Sequence, residues 1–245
     1  MTTVAVTRKS QVEEHDERMC NVYSMTTTRD ALRQLFRLES CWNQLRLPGI
    51  HPGCQAPIVR RNAAGERELV AAHWGMPTPS TCRKGPIDRG VTTIRNTSSA
   101  HWLRWLKPEF RCLVPATSFG EPTDTVDRAI GRKVCTWFAL DESRPLFAFA
   151  GIWCMWMSAR GTKGNPATGE HILFGFLTTA PNDVVRPVHE KAMPAILTTP
   201  EECDVWLSAQ PHDALELRRP LPAEMLMVVA AGRREDAPPE VMSGA

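Results

Sequence analysis

The sequence predicts an α+β fold, a single domain with a mainly antiparallel, barrel-like β core and peripheral helices. Three observations carry that prediction. Seven stretches rich in β-branched and aromatic residues are bounded by Gly, Pro or charge: APIVR, ELVAAHW, RCLVPA, KVCTWFAL, LFAFAGIWCMW, HILFGFLTT and EMLMVVA. Only two segments have clear helical features, and they do not alternate with the strands as a doubly wound fold requires. Between the polar ends of the chain there is no internal repeat, low-complexity tract or long linker, only short turn clusters such as LPGIHPG, RNAAGE and ARGTKGNPATGE.

The polar leader, residues 1–18, and the tail EDAPPEVMSGA, residues 235–245, lack large apolar residues in any pattern that could bury them, so both are expected to be disordered around one domain at 19–234. The first helix is expected in TTRDALRQLFRLE, where Ala31, Leu32, Leu35, Phe36 and Leu38 fall near helical spacing behind Thr27 or Thr28 as N-cap. The second starts at TTPEECDVWLSA. There Thr199 is the N-cap, Pro200 occupies the first turn and Glu202 completes a capping box.

Composition narrows the function. The chain has 245 residues, enough for a sizeable core, with 42% hydrophobic and 23% charged residues, ordinary values for a globular protein. No charge-free apolar run reaches the length of a membrane span, and the leader has no apolar core of the kind a secretion signal needs, so a cytoplasmic protein is expected. The eight cysteines are scattered without CxxC spacing, which favours buried reduced thiols over a disulfide framework or a zinc site. The leader carries three Lys/Arg against four Asp/Glu and the tail none against three, leaving 26 against 20 between them. This mildly basic middle permits a polyanionic partner without demanding one.

Common enzyme signatures fail. HEKAM, from His189 to Met193, lacks the second histidine of HExxH, and GxSxG, Walker A and GxGxxG motifs are absent. No metal or cofactor is expected. Read one at a time, the remaining polar residues are ordinary: Glu121 between Gly120 and Pro122 reads as a solvated turn residue, Asn96 before Thr-Ser-Ser as turn chemistry, and Cys20 as a small buried hydrophobe.

Their order along the chain changes the reading. MCNVYS, AHWGMPTPS, IRNTSSAHW with RCLVPATSFGEP after it, and LTTAPNDVVRPVHEKAMPAIL together resemble the SOS response-associated peptidase (SRAP) family of abasic-site processing proteins, over nearly all of residues 19–231. The resemblance implies that Cys20 becomes the N-terminus once the initiator methionine, here Met19, is removed. It also implies catalytic roles for Asn96, Glu121 and His189, and a substrate of single-stranded DNA containing abasic sites. Ser98 stands where many members have an arginine thought to hold DNA phosphate.

The chemistry of those residue types supports the same assignment. An abasic site is a masked aldehyde, and a free α-amine with a pKa of about 7.7–8.0 is partly neutral and nucleophilic. Attack gives a Schiff base, and only an N-terminal cysteine then offers a thiol positioned to close a five-membered thiazolidine. Glu121 suits the proton transfers that open the sugar, best with a raised pKa, His189 can shuttle a proton, and Asn96 can orient the amine or the opened sugar.

For DNA binding, Trp74, Trp102 and Trp105 are candidate stacking residues, with Arg60, Arg61, Arg83, Lys84, Arg89, Arg95, Arg104 and Lys107 near the backbone. Trp74, Arg89, Arg95 and Trp105 are the preferred set; the i, i+3 spacing of Trp102 and Trp105 favours core for one and rim for the other. The leading expectation is therefore a monomeric abasic-site sensor that crosslinks to DNA through Cys20, associated with the nucleoid when bound to damage. The alternatives are a cysteine peptidase that removes its own leader before Cys20, and a module that binds single-stranded DNA without bonding to it. Residues 1–18 read either as an over-extended start or as a propeptide.

Overall fold

The computed structural model describes residues 22–39, 45–83, 85–128, 131–162 and 164–236; Met19, Cys20 and Lys84 lie outside them. In chain order the strands are β1 (Val22–Thr27), β2 (Leu45–Ile50), β3 (Gln55–Arg61), β4 (Arg67–Trp74), β5 (Thr93–Ile94), β6 (Arg111–Ala116), β7 (Ser118–Asp127), β8 (Arg132–Ala139), β9 (Phe147–Thr162), β10 (Asn165–Thr179), β11 (Met193–Pro194), β12 (Ile196–Leu197) and β13 (Met227–Arg233). The helices are α1 (Arg29–Phe36), α2 (Ala100–Leu103), α3 (Pro200–Ser208) and α4 (Pro211–Leu215).

Strands β10, β4, β3, β6 and β9 pair in that order, and β9 pairs back onto β10, so five strands close into a barrel. All its ladders are antiparallel except the short parallel one between β4 and β10. A second, antiparallel sheet runs β13-β8-β7-β1-β2. The expected α+β barrel-like architecture is therefore present, and each of the seven strand-like stretches lies largely within an observed strand.

Period-two alternation sorts the barrel side chains onto two faces. On one, Ile58, Trp74, Phe149, Phe174 and Phe176 pack with Tyr23 of β1 and Phe119 of β7, joining barrel and sheet. On the other, Val59, Leu113, Ile152 and Leu173 pack against Leu32 and Phe36 of α1 and Trp206 and Leu207 of α3. Arg111 is buried there because its guanidinium donates to three main-chain carbonyls: Nε to Leu106 at 2.9 Å, Nη1 to Trp206 and Nη2 to Ala209, both at 2.7 Å. Burial pulls its pKa down to about 10 against the opposing charge of Glu109.

Thr28 is the α1 N-cap, accepting from Ala31 N at 3.2 Å, and Thr199 caps α3 by accepting from Glu202 N at 3.2 Å. The expected capping box is offset by one residue, since Glu202 Oε2 reaches back to Thr198 N at 2.7 Å. Two expectations are corrected. Gly120, Glu121 and Pro122 are extended strand in β7 rather than a turn, and ARGTKGNPATGE continues β9 and β10 outward as a long hairpin. Past residue 234, Asp236 is fully buried.

Candidate active site

Glu121 is fully buried on β7, opposite Thr136 of β8. The strand before it runs against β1 with Val22 facing Gly120, Tyr23 facing Phe119 and Ser24 facing Ser118. The glycine is a packing requirement. A Cβ at Gly120 would lie 2.7 Å from Val22 Cγ1 and 3.2 Å from Cys135 Cβ, so only glycine lets β1 lie this close to the residue before Glu121. Burial, and then the nearby Glu121 charge, push the Cys135 thiol up to about 11. Cys135 is a packing residue, and the described cysteines contain no disulfide.

His189 is held by the turn that follows β10. Asn182 organises that turn: its Oδ1 accepts from Val184 N at 3.2 Å and Val185 N at 3.0 Å, and its Nδ2 donates to Leu221 O at 2.9 Å. His189 N then donates to Val185 O at 2.9 Å. The ring's Nδ1 is 2.7 Å from Ala192 O. Ala192 N also approaches Nδ1, at 3.2 Å, so both main-chain groups of Ala192 fix the ring through that nitrogen. Nε2 is buried and has no hydrogen-bond partner among the described residues.

Asn96 follows β5, which pairs in parallel with Phe176 and Leu177 of β10. Its Oδ1 accepts from Ser98 N at 3.1 Å and Ser98 Oγ at 2.7 Å, a side-chain turn on an exposed residue. Arg218 sets the position of this loop. Its Nη2 donates to Arg95 O at 2.5 Å and its Nε to Thr178 O at 2.7 Å.

These segments meet at a cleft of about 470 Å³ lined by Arg95, Ala180, Pro181, Arg186, Glu190 and Lys191. Asn96 and His189 are the chain neighbours of its lining residues Arg95 and Glu190. The cleft carries three basic side chains against one acidic one. Arg186 and Lys191 were not picked out from sequence, although the segment holding His189 contains both. Glu121 does not line this cleft; Tyr23 of β1, which faces Phe119 two residues before Glu121, packs edge-on against Trp74, Phe149 and Phe176, with centroids 5.1, 5.6 and 6.2 Å away, and Phe176 pairs with Thr93 of β5.

The expected DNA-stacking tryptophans lie elsewhere. Trp74 is fully buried, stacks on Phe174 and Phe176, and donates Nε1 to Thr92 O at 3.0 Å, so it presents no ring face to a base. Trp105 is 4% exposed and Trp102 2%, so both belong to the core, and Arg104 covers Trp105 at 4.0 Å. The i, i+3 spacing marked a helix-side core pair, not one core and one rim residue. Arg89 is exposed, on a loop pinned by Asp88 through Thr78 Oγ1 at 2.5 Å, Thr78 N at 3.1 Å and Gly90 N at 2.9 Å, and it does not line the cleft. Another cavity, of about 580 Å³, includes Arg60, Arg61 and Trp153, but Arg60 is already paired with Glu68 at 2.8 Å and stacked over Trp153 at 4.1 Å. No group of three or more His, Cys, Asp or Glu with metal-site geometry occurs among the described residues, and no described helix is long and apolar enough to cross a membrane.

Residues 19–234 match the family model described as SOS response associated peptidase (SRAP). Among solved structures, the chain is similar to a protein from Bordetella bronchiseptica, at 24% identity and TM-score 0.65, covering 87% of this chain and 100% of that one. It is also similar to a protein from Bacteroides thetaiotaomicron, at 22% and 0.60, covering 86% and 90%, and to a phage-related protein from Bordetella bronchiseptica, at 20% and 0.60, covering 84% and 92%. At these identities the likeness is one of fold. Among curated proteins none matches. The family match spans both strands β1 and β7, the Asn96 loop and the His189 turn, and on that extent the chain belongs to the SOS response associated peptidase (SRAP) family.

Proposed function

We propose that this protein, with Cys20 as its N-terminal residue, traps abasic sites in single-stranded DNA as a thiazolidine. Family membership supports a role associated with DNA damage. The observation that carries the finer reading is the pairing of Val22 with Gly120, immediately before the buried Glu121. Two peptide units upstream, the Cys20 α-carbon is within about 7.6 Å of that of Val22 by chain geometry alone.

In this reaction the neutral amine of Cys20 adds to the ring-opened aldehyde, and loss of water gives an imine. The thiol sulfur then adds to the imine carbon while the nitrogen takes a proton, closing the ring with no other product. Glu121 delivers the proton that opens the hemiacetal, His189 Nε2 accepts one, and Asn96 Nδ2 donates a hydrogen bond to the opened sugar. Arg95, Arg186 and Lys191, which line the cleft next to Asn96 and His189, supply phosphate contacts in place of the arginine that Ser98 replaces.

A chain beginning at Met19, incubated with an abasic single-stranded oligonucleotide, should give an adduct that survives denaturing electrophoresis and is lost in Cys20→Ser and Cys20→Ala. No adduct, or one that persists in both variants, would overturn the proposal. The family's name favours a second reading, self-cleavage before Cys20. Intact mass measurement of the 245-residue chain tests it: loss of residues 1–19 in the wild type but not in Glu121→Ala would establish processing.

A further inference from the structure

We propose that Asp236, outside the residues matched to the family, is a positioning residue that locks the register of β1, the strand that begins two residues after Cys20, against β7, the strand that carries Glu121; this rests on the function proposed above. Strand β2 has an irregularity opposite Ser24: Tyr23 faces Ile50 and Met25 faces Leu47, so Pro48 and Gly49 share the single position across from Ser24. The ladder is interrupted there. Asp236 fills the gap, its main-chain N–H donating to Pro48 O at 2.9 Å.

The same residue takes both hydroxyls of the register pair on the other side. Ser24 Oγ donates to Asp236 O at 3.1 Å, and Ser118 Oγ donates to Asp236 Oδ2 at 2.6 Å. Ser24 and Ser118 face each other directly across β1 and β7. A slip of one residue would turn either serine to the opposite face and break its bond, so the two bonds hold only in the observed register.

Two further features fit this purpose. Arg144 Nε meets Asp236 Oδ2 at 2.7 Å, neutralising a carboxylate that is fully buried, from a backbone held at φ 55, unusual for a residue other than glycine. A Cβ at Gly49 would lie 2.8 Å from Cγ of the exposed Glu235, which shows how closely the C-terminal segment passes over β2. Ser118 is three residues before Glu121 and Ser24 four after Cys20, so Asp236 fixes the two strands close to both reacting groups.

The test compares Asp236→Ala, Asp236→Asn and Gly49→Ala in chains running from Cys20 to Ala245. The expected result for Asp236→Ala is a fall of about tenfold or more in crosslinking rate at saturating abasic DNA, with the half-saturating DNA concentration within about twofold of wild type. Asp236→Asn, which keeps the acceptor for Ser118 but not the charge for Arg144, falls between, and Gly49→Ala, whose added carbon meets only the side chains of Glu235 and His51, serves as the control and stays near the wild-type rate. In the full 245-residue chain, hydrogen exchange should quicken in β1 and at 118–121 and stay unchanged in the β9–β10 ladder. A wild-type rate in Asp236→Ala, an equal loss of DNA affinity, or uniformly faster exchange would overturn the lock. Failure of the wild-type chain to crosslink would instead overturn the proposed function, leaving the exchange measurement to judge the lock alone.

Discussion

Val22 and Gly120 face each other across the β1–β7 ladder at a separation that leaves no room for a methyl group on the glycine. That close approach brings the start of β1 against the residue before Glu121. It also makes Gly120 sensitive to any added side chain.

Gly120→Ala should therefore act on both stability and chemistry. The added carbon would meet Val22 Cγ1 at 2.7 Å, with Cys135 Cβ at 3.2 Å and Trp137 Cε2 at 3.3 Å blocking escape. Overpacking of this kind costs about 1–3 kcal/mol. A urea titration should show that loss, and crosslinking should slow more than the stability change explains, because β1 must move away from Glu121 to relieve the clash. Unchanged stability and rate would show that β1 does not need this approach.

The strands of the barrel were legible because valine, isoleucine and aromatic residues are dense in them and Gly or Pro bounds them. β7 was not, because Gly120 and Pro122 flank Glu121 and both normally break strands; here the glycine serves close packing, and Pro122 ends the regular register before it shifts toward Val126. Trp74 misled for a different reason. WGMP was chosen because it matches a motif of the family, yet the tryptophan is the last residue of β4 and faces the aromatic cluster around Tyr23. Asp88 with Arg160, and Asp236 with Ser24, were beyond reach altogether, since nothing local in the sequence reports that residues so far apart meet. Cys20, Asn96, Glu121 and His189 could be named only from the order of four motifs, as each alone looks ordinary.

Asp88 predicts an acid-sensitive contribution to stability. Burial raises its pKa, but the hydrogen bonds from Thr78 Oγ1, Thr78 N and Gly90 N, together with the charge of Arg160, outweigh burial and hold it below the 3.8 of a free aspartate. A carboxyl depressed in the folded state binds fewer protons there than in the unfolded chain, so its contribution is complete above the unfolded pKa and is lost as pH falls through the folded one. Asp88→Asn should be less stable than wild type at about pH 7, and the difference should shrink below about pH 4. Urea midpoints at the two pH values test this; an equal gap at both would remove Asp88 from the acid response.

The basic cleft predicts how salt acts on DNA binding. Each phosphate neutralised on a single strand contributes a slope of about −0.7 to log affinity against log salt. Replacing Arg186 and Lys191 together by glutamine should reduce the magnitude of the slope by up to about 1.4 and weaken binding of intact and abasic strands alike. Arg60→Gln should leave the slope unchanged, since Arg60 is held at 2.8 Å by Glu68 with its side chain 17% exposed, whereas Arg186 meets Asp183 only at 3.4 Å with its side chain 60% exposed. The reverse pattern would place the DNA at the other cavity.

His189 offers a separation of fold from chemistry within one side chain. Its Nδ1 lies 2.7 Å from Ala192 O and 3.2 Å from Ala192 N and so holds the turn, while Nε2 is buried with no hydrogen-bond partner among the described residues. Asparagine places an N–H near the position of Nδ1 and has nothing at Nε2, so His189→Asn should keep the turn at a cost of about 1 kcal/mol. If Nε2 is the proton acceptor, crosslinking at saturating abasic DNA should fall by about a hundredfold or more, the usual contribution of a positioned acid or base. Lysing the turn instead, as His189→Ala does, should lower stability as well as rate. The Asn variant is decisive, because a purely structural histidine would leave its rate near wild type and impair only Ala.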